Sequence, residues 1–214
     1  MNERSSKNGR ESRVPRTEKQ NEALRTATRE RLAGAAVRLF VRRGYAATSV
    51  RDIARAAGVS TGLMYRHYAT KEALFAALVT QGAEGLERLV GRFGDAESPQ
   101  AAIREFSAVM VADIAADDGA SEFFQLMTQA FSMPDPPDEV RELVRQHYAV
   151  VEAVVALVEE GQRLGQFRAG DARQLATCYL AAVSGLVTMR LALGRDFVPP
   201  GADVLAGLLT GRNP

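Results

Sequence analysis

Two helical turns near residue 61 carry side chains that can hydrogen-bond to phosphates and bases. Residues 61–67 read Thr-Gly-Leu-Met-Tyr-Arg-His, so they offer a hydroxyl, a phenol, a guanidinium and an imidazole within seven residues. Met64 and Tyr68, four residues apart, share the opposite face and can pack against a core. Small, aromatic and basic side chains on one exposed helix face are typical of a surface that contacts nucleic acid.

A second short helix precedes this segment. Its apolar stripe, with residues at i, i+3, i+4 and i+7, consists of Val50, Ile53, Ala54 and Ala57. Thr48 and Ser49 both suit its N-cap, and Ser49 with Asp52 resembles a capping box. Gly58 is placed to end it, because glycine adopts the left-handed conformation beyond a helix end easily. Ser60 can cap the next helix, so residues 48–68 predict a DNA-binding helix-turn-helix.

The charge distribution supports a nucleic-acid partner. The whole chain has a net charge of only +1. Residues 1–71, however, hold 16 Lys and Arg against 6 Asp and Glu, whereas residues 72–214 hold 11 against 20. Because DNA affinity rests largely on phosphate neutralisation, the basic N-terminal third should face the DNA.

Size and composition describe an ordinary globular protein. The chain has 214 residues, of which 46% are hydrophobic and 25% charged. The single cysteine, Cys178, excludes an internal disulfide framework and is expected to be a small buried apolar residue. We see no run of 18 apolar residues and no apolar region behind the basic N-terminus, so we expect a cytoplasmic protein without a membrane span or secretory signal.

Helical periodicity broken by Gly and Pro covers the rest of the chain, and no strand alternation or internal repeat is found. We expect an all-α fold of about nine helices. Outside the helix-turn-helix they should span about 21–43, 70–93, 99–117, 121–132, 138–164, 171–193 and 203–210. Asp138 and Asp171 suit the N-caps of two of them.

Three regions follow from this pattern. Residues 1–20 are polar and without periodicity, and we expect a disordered tail. This tail is either solvated or a basic arm that touches DNA through Arg10, Arg13 and Arg16. Residues 21–70 should form the DNA-binding domain, and residues 71–214 a helical bundle for ligand binding and dimerisation.

The segment GYAATSVRDIARAAGVSTGLMYRHYATKEALFAALV, residues 44–79, resembles the N-terminal signature of the TetR (tetracycline-repressor) family of transcription regulators. The resemblance covers about residues 25–80. It is carried by Gly44-Tyr45, Thr48, Ile53-Ala54, Gly58-Val59-Ser60, the Gly-hydrophobic-Tyr pattern at 62–65, Tyr68 and the Lys-Glu-Ala-Leu run at 71–74. The remaining two-thirds of the chain resembles the family only in helix count, order and length.

The resemblance implies that the second helix of the motif enters a major groove. The expected DNA-binding residues are Thr48, Ser60, Thr61, Gly62, Leu63, Tyr65, Arg66, His67 and Lys71. It implies a phosphate contact for the Tyr65 hydroxyl and for Lys71, whose cation at a helix start opposes the helix dipole. Thr48 is a cap that could also donate to a phosphate.

Thr61, Gly62, Leu63 and His67 are candidate base readers. Leu63 departs from the family, which often has Thr at this position, and it could meet only a thymine methyl. Arg66 could contact guanine or phosphate. His67 could contact phosphate or base, or could be a packed, hydrogen-bonded histidine.

Apolar side chains in the second half are candidates for a ligand pocket. Pockets between bundle helices are largely apolar with few polar anchors. The candidates are Phe106, Met110, Phe124, Met127, Phe131, His147 and Tyr148. The alternative is that these residues are core, and that His147 is structural.

These features together predict a sequence-specific regulator and not an enzyme. We expect a homodimeric repressor that a small-molecule effector releases from palindromic double-stranded DNA, without a metal or cofactor. No metal-binding His/Glu pair, nucleotide-binding Gly-rich motif or nucleophile–base pair is evident. The alternatives are a helical ligand-sequestering protein that has lost DNA specificity and, more remotely, an α-helical enzyme.

Overall fold

The computed structural model describes residues 18–116 and 118–210, and this part of the chain is helical without strands. The elements are α1 (Glu18–Arg43), α2 (Val50–Ala56), α3 (Thr61–His67), α4 (Lys71–Gly94), α5 (Pro99–Ala115), α6 (Ala120–Ala130), α7 (Asp138–Arg163), α8 (Ala172–Leu193) and α9 (Ala202–Thr210). A short 3₁₀ turn, Gly194–Asp196, follows α8. The expected all-α fold is therefore confirmed.

Capping residues and glycines in the sequence predicted most helix ends correctly, but two expectations were wrong. The Asp171 carboxylate accepts a hydrogen bond from the Gln174 amide at 2.8 Å, so it caps α8 as predicted. Asp138, in contrast, is the first residue of α7, and the N-cap is Pro137 without a side-chain hydrogen bond. Helix α1 begins at Glu18, so residues 18–20 are helical and not part of a tail. The arm residues Arg10, Arg13 and Arg16 lie outside the described residues.

Two large hydrophobic cores organise the chain. The first joins α1–α4 to α6 and α7, through buried residues such as Phe40, Ile53, Met64 and Leu126. Because α6 and α7 contribute to it, the helix-turn-helix rests on the C-terminal bundle and not on α4 alone.

The second core lies among α5, α7, α8 and α9 and includes the end of α4. Inside it, the hydroxyls of Ser107 and Tyr179 lie 2.6 Å apart and satisfy each other. This pair holds α5 and α8 together at the centre of the bundle.

Helix α8 has an unusually apolar outer face. By length and composition alone, Ala172–Asp196 could cross a membrane. Only 22% of its most apolar window is buried inside the protein. Polar residues such as Arg173, Ser184 and Arg190 interrupt this segment, and a single such helix is weak evidence for a membrane span. Cys178 lies on this exposed face, which also corrects the expectation that it is buried.

Candidate nucleic-acid interface and ligand cavity

The turn between α2 and α3 is held by hydrogen bonds from both sides. Ser49 caps α2 in a full capping box, since its hydroxyl accepts from the Asp52 amide while its own amide donates to the Asp52 carboxylate, each at 3.2 Å. Gly58 has φ +63°, the left-handed conformation that glycine adopts without strain. The Arg31 guanidinium of α1 donates to the Gly58 carbonyl at 3.1 Å. These contacts hold the turn that positions α3 relative to α2.

Helix α3 is anchored on one side and open on the other. The Ser60 hydroxyl accepts from the Leu63 amide at 3.1 Å, so Ser60 is its N-cap as expected. Met64 is completely buried in the first core, whereas Tyr65 on the other side is 55% exposed. The exposed face consists of Thr61, Gly62, Tyr65 and Arg66, with Leu63 and His67 half-buried at its edges.

No contact within the described chain requires a glycine at position 62. It lies within α3, and a Cβ added there would meet only the Ser60 hydroxyl, at 4.0 Å. Glycine within a helix destabilises it by roughly 0.5–1 kcal/mol relative to alanine. The open space above Gly62 therefore suits the close approach of another molecule.

Thr48 is placed differently from expectation. Its side chain is only 2% exposed, and its hydroxyl donates to the Gly44 carbonyl at 2.8 Å. The N-cap of α2 is Ser49 alone. Thr48 thus stabilises the end of α1, and its hydroxyl is not presented to a phosphate.

Lys71 joins the start of α4 to the chain between α1 and α2. Its ammonium donates to the carbonyl oxygens of Tyr45 at 2.9 Å and Thr48 at 3.0 Å, and it lies 4.2 Å from the centre of the Tyr45 ring. Two of its three N–H donors are used in this way. One donor is left for an outside acceptor such as a phosphate.

The Tyr45 ring extends this junction. Its hydroxyl donates to the Glu72 carboxylate at 2.9 Å, and its ring packs 5.0 Å from that of Phe75 and 5.2 Å from that of Phe40. Burial, together with the hydrogen bond to Glu72, raises the pKa of Tyr45 to about 12. The hydroxyl therefore stays protonated as a donor at neutral pH.

The basic surface reaches further than the sequence indicated. Burial lowers the pKa of His67, and the nearby positive charges of Arg29 and Arg25 on α1 lower it further. The imidazole is therefore mostly neutral at pH 7. Arg25 and Arg29 were not among the expected DNA-binding residues, because only the folded chain brings this part of α1 beside the end of α3.

A cavity of about 460 Å³ lies in the C-terminal bundle between α4, α5, α6, α7 and α8. Five of the seven expected pocket residues line it: Met110, Phe124, Met127, Phe131 and His147. The His147 ring lies 4.7 Å from that of Phe131, and burial lowers its pKa, so it is neutral at pH 7. The volume and apolar walls are those of a small-molecule site.

The other two expected pocket residues lie elsewhere. Phe106 belongs to the second core, where its ring packs edge-on against Phe93 at 5.5 Å. Tyr148 faces outward and is 65% exposed. His147 and Tyr148 are consecutive residues on α7, so only one of them can face the cavity.

Polar groups that the sequence did not single out also line the cavity. Ser121 and Asp113 stand where α6 begins and α5 ends, and Gln81 and Arg88 lie on α4. The Ser121 hydroxyl is buried and has no hydrogen-bond partner among the described residues. No sequence signal distinguished Ser121, because burial without a partner is a property of the folded chain.

Comparison with known proteins identifies this arrangement. Residues 32–78 match the family model described as bacterial regulatory proteins, tetR family. The chain is 27% identical to the HTH-type transcriptional regulator TtgR of Pseudomonas putida over 83% of its length and 84% of that protein. It is 29% identical to the HTH-type transcriptional repressor DhaR of a Mycobacterium species, over 82% of this chain and 87% of that one.

Residues 32–78 thus form a DNA-binding domain of the TetR family.

The fold agrees with this assignment along nearly the whole length. The crystal structure of the MbdR regulator from Azoarcus sp. CIB superimposes with a TM-score of 0.72 over 87% of this chain and 99% of that one, at 22% identity. The chain is therefore similar to TetR-family helix-turn-helix transcriptional regulators along most of its length. Its relatives are regulators and not enzymes, which disfavours the enzymatic alternative.

Proposed function

We propose that this TetR-family regulator is a homodimeric bacterial repressor that a small molecule releases from a palindromic operator. The observation that carries the proposal is the pairing of two sites in one chain: an unobstructed α3 face and an apolar cavity in the bundle behind it. Such a protein would work in the bacterial cytoplasm, where its operator is.

The exposed face of α3 supports insertion into a major groove. Thr61 and Gly62 are the first two residues of α3. They would lie deepest in the groove, because the first residues of a recognition helix contact the base edges. Tyr65 and Arg66 then contact the DNA backbone or a guanine edge. Lys71, and Arg25 with Arg29, supply phosphate contacts on the two sides of α3.

The outer faces of α8 and α9 support dimerisation. Small side chains recur along the exposed side of α8, at Thr177, Cys178, Ala181, Ser184, Gly185 and Thr188. The exposed apolar residues nearby include Met189, Val204 and Leu208. A second copy of this surface would cover these groups, and small residues let the helices approach closely. A two-fold dimer then places the two α3 helices about 34–36 Å apart, one turn of DNA.

Helix α6 is the proposed connection between ligand and DNA. Phe124 and Met127 line the cavity, whereas Leu126 and Ala130 belong to the core shared with α1. Met127 also packs on α4 at Gly82, where a Cβ would come within 2.5 Å of its sulfur. A ligand that prefers one position of α6 shifts α1 and α4, and with them the spacing of the two α3 helices.

Binding to a genomic DNA-fragment library at two salt concentrations tests DNA recognition. Recovery of one palindromic motif that persists at moderate salt is the expected result. Motif-free binding that disappears with salt would contradict the proposal, because it would reflect phosphate attraction alone and favour a sequestering protein.

The dimer is tested by the substitution Ala181→Arg on α8. Measured by sedimentation, this variant should be monomeric and should lose binding to the full palindrome, because a charged side chain replaces a small one at the interface. Ala156→Arg, at an exposed position of α7, is the matched control and should remain dimeric. A dimeric Ala181→Arg variant would place the interface elsewhere.

A further inference from the structure

The hydroxyl groups in the cavity wall are not free to donate to a bound molecule. The Ser121 hydroxyl is enclosed by protein, so a ligand cannot reach it. The hydroxyls of Thr128 and Ser184 donate to carbonyl oxygens one turn earlier in their own helices, those of Phe124 and Leu180, at 3.1 and 3.2 Å. The serine and threonine side chains that line the cavity therefore leave it without a free hydroxyl donor.

The charged and amide side chains of the wall are in contact with water. Asp113, Arg88 and Gln81 line the cavity, and all three are exposed. Arg88 also pairs with Glu84 of the same helix at 3.8 Å. The charges of Asp113 and Arg88 have opposite signs, and contact with water weakens the field of each. The wall therefore favours neither cations nor anions.

His147 differs from these residues because its ring is half-buried in the wall and makes no hydrogen bond. It lies on α7 one turn after Leu143, which is fully buried and also lines the cavity. No hydrogen bond or ion pair between described residues involves the imidazole. Among those residues, only the Ser121 hydroxyl is both unpaired and enclosed. The His147 nitrogens therefore keep surface that a small molecule can contact.

The state of the His147 ring defines the group that it can bind. Burial lowers the pKa of His147, so the imidazole is uncharged at pH 7 and offers one donor and one acceptor. The ring packs against Phe131 at 4.7 Å between ring centres, which limits its rotation. A hydroxyl group, which also donates and accepts, is the matching partner. An ionised group in the same place would lose its hydration without an opposite charge to replace it.

We propose that the cavity binds uncharged aromatic molecules that carry a hydroxyl group, and that His147 binds this hydroxyl. The aromatic body lies among apolar side chains of the wall, which include Met110, Phe123, Phe124 and Met127. Methionine sulfurs and phenylalanine rings both make favourable contacts with aromatic rings. This inference rests on the proposed function, in which the cavity is the effector site, and adds the chemical class of the effector and the residue that selects it.

Three naphthalenes that differ in one substituent test the chemical class. They are 2-naphthol, 2-methylnaphthalene and 2-naphthoate, titrated into the full-length protein without DNA by calorimetry at pH 7. The uncharged 2-naphthol is expected to bind at least as tightly as 2-methylnaphthalene, because the hydrogen bond to His147 offsets the desolvation of the hydroxyl. The carboxylate should bind about tenfold more weakly than 2-naphthol. No binding of 2-naphthol, or equal or tighter binding of 2-naphthoate, would overturn the proposal.

Substitutions of His147 test whether this residue binds the hydroxyl. His147→Phe keeps a ring beside Phe131 but removes both nitrogens, so the affinity for 2-naphthol should fall about tenfold and that for 2-methylnaphthalene should stay constant. His147→Leu removes the nitrogens with a side chain of another shape and should give the same selective loss. Tyr148→Phe removes an exposed hydroxyl outside the cavity, at the next residue of α7, and is the matched control that should change neither affinity. An unchanged ratio of the two affinities in both His147 variants would overturn the assignment.

Operator release separates this inference from the proposed function. If 2-naphthol binds through His147 but never changes the affinity of the protein for operator DNA, the ligand class stands and the effector role of the cavity fails. If a charged compound that binds in the cavity releases operator DNA while 2-naphthol does not bind, the effector role stands and this inference fails.

Discussion

The Lys71 ammonium lies 2.9 Å from the carbonyl oxygen of Tyr45 and 4.2 Å from the centre of the same residue's ring. One side chain at the start of α4 thus holds both the backbone and the aromatic group that follow α1. In the proposed mechanism, this contact is where a movement of α4 would be passed to the helix-turn-helix.

Lys71→Ala should affect both folding and DNA binding. Loss of a charged donor to two carbonyls, those of Tyr45 and Thr48, should lower the free energy of unfolding by about 1.5–3 kcal/mol. If the third N–H also binds a phosphate, the slope of log affinity against log salt should decrease in magnitude by about 0.9. Denaturant unfolding and salt-dependent DNA binding measure the two effects. An unchanged slope would limit Lys71 to the structural role.

Gly62→Ala should separate stability from DNA recognition. The added methyl group meets nothing in the protein closer than 4.0 Å, so the melting temperature should rise or stay constant. Operator affinity should fall about tenfold, because the methyl group enters the space that the DNA occupies.

Gly91→Ala provides the control for this substitution. Gly91 is an exposed position of α4 with nothing within 4 Å of an added Cβ, and its replacement should leave operator binding unchanged. If Gly62→Ala also bound the operator normally, close approach of DNA at this residue would be ruled out.

Tyr65→Phe should weaken DNA binding without changing stability. Tyr65 is exposed on α3, and removal of its hydroxyl leaves no buried group unpaired. The expected loss is about 1 kcal/mol of binding free energy, or roughly fivefold in affinity, and it should be similar for all operator sequences because a phosphate carries no base identity. Tyr148→Phe on α7 removes an equally exposed hydroxyl far from α3 and serves as control. A loss confined to certain sequences would indicate a base contact instead.

Gly82→Ala should reduce ligand binding. Its Cβ would lie 2.5 Å from the Met127 sulfur and 3.3 Å from a methyl carbon of Leu143, so the Met127 side chain, which lines the cavity, must move. Overpacking of this kind lowers stability by about 1–3 kcal/mol. Titration with an apolar dye that fluoresces in hydrophobic cavities should show weaker binding than in Gly91→Ala, the control on the same helix. Equal affinities in the two variants would mean that the ligand does not contact this side of the cavity.

The helix-turn-helix could be predicted from the sequence because its ends are decided locally. Ser49, Gly58 and Ser60 act on amides and backbone angles within three residues of themselves, and the structure has all three in their expected roles. The excess of basic residues before Lys71 likewise indicated the nucleic-acid side. Asp138 is the exception among the caps: a proline precedes it, and the helix starts one residue earlier than a capping Asp138 requires.

The cavity could be predicted only in outline, because lining and core residues share the same chemistry. Phe106 and Phe124 are both apolar residues on amphipathic helices, yet one packs in the second core and the other faces the cavity. Periodicity identifies the buried face of a helix but not the element that it meets. For this reason the positions of Ser121 and Asp113 in the cavity wall were found only in the structure.

The sequence by itself determined the resemblance to the TetR family, the order of the helices and the residues presented by α3, since these depend on local caps, periodicity and a short motif. Only the tertiary structure decided that the hydroxyl of Thr48 is buried, that Lys71 binds two carbonyls, that Cys178 is exposed and that Arg25 and Arg29 extend the basic surface. Each of these properties depends on how far apart two segments lie after folding. Contacts between residues distant in sequence leave no local pattern from which such distances can be read.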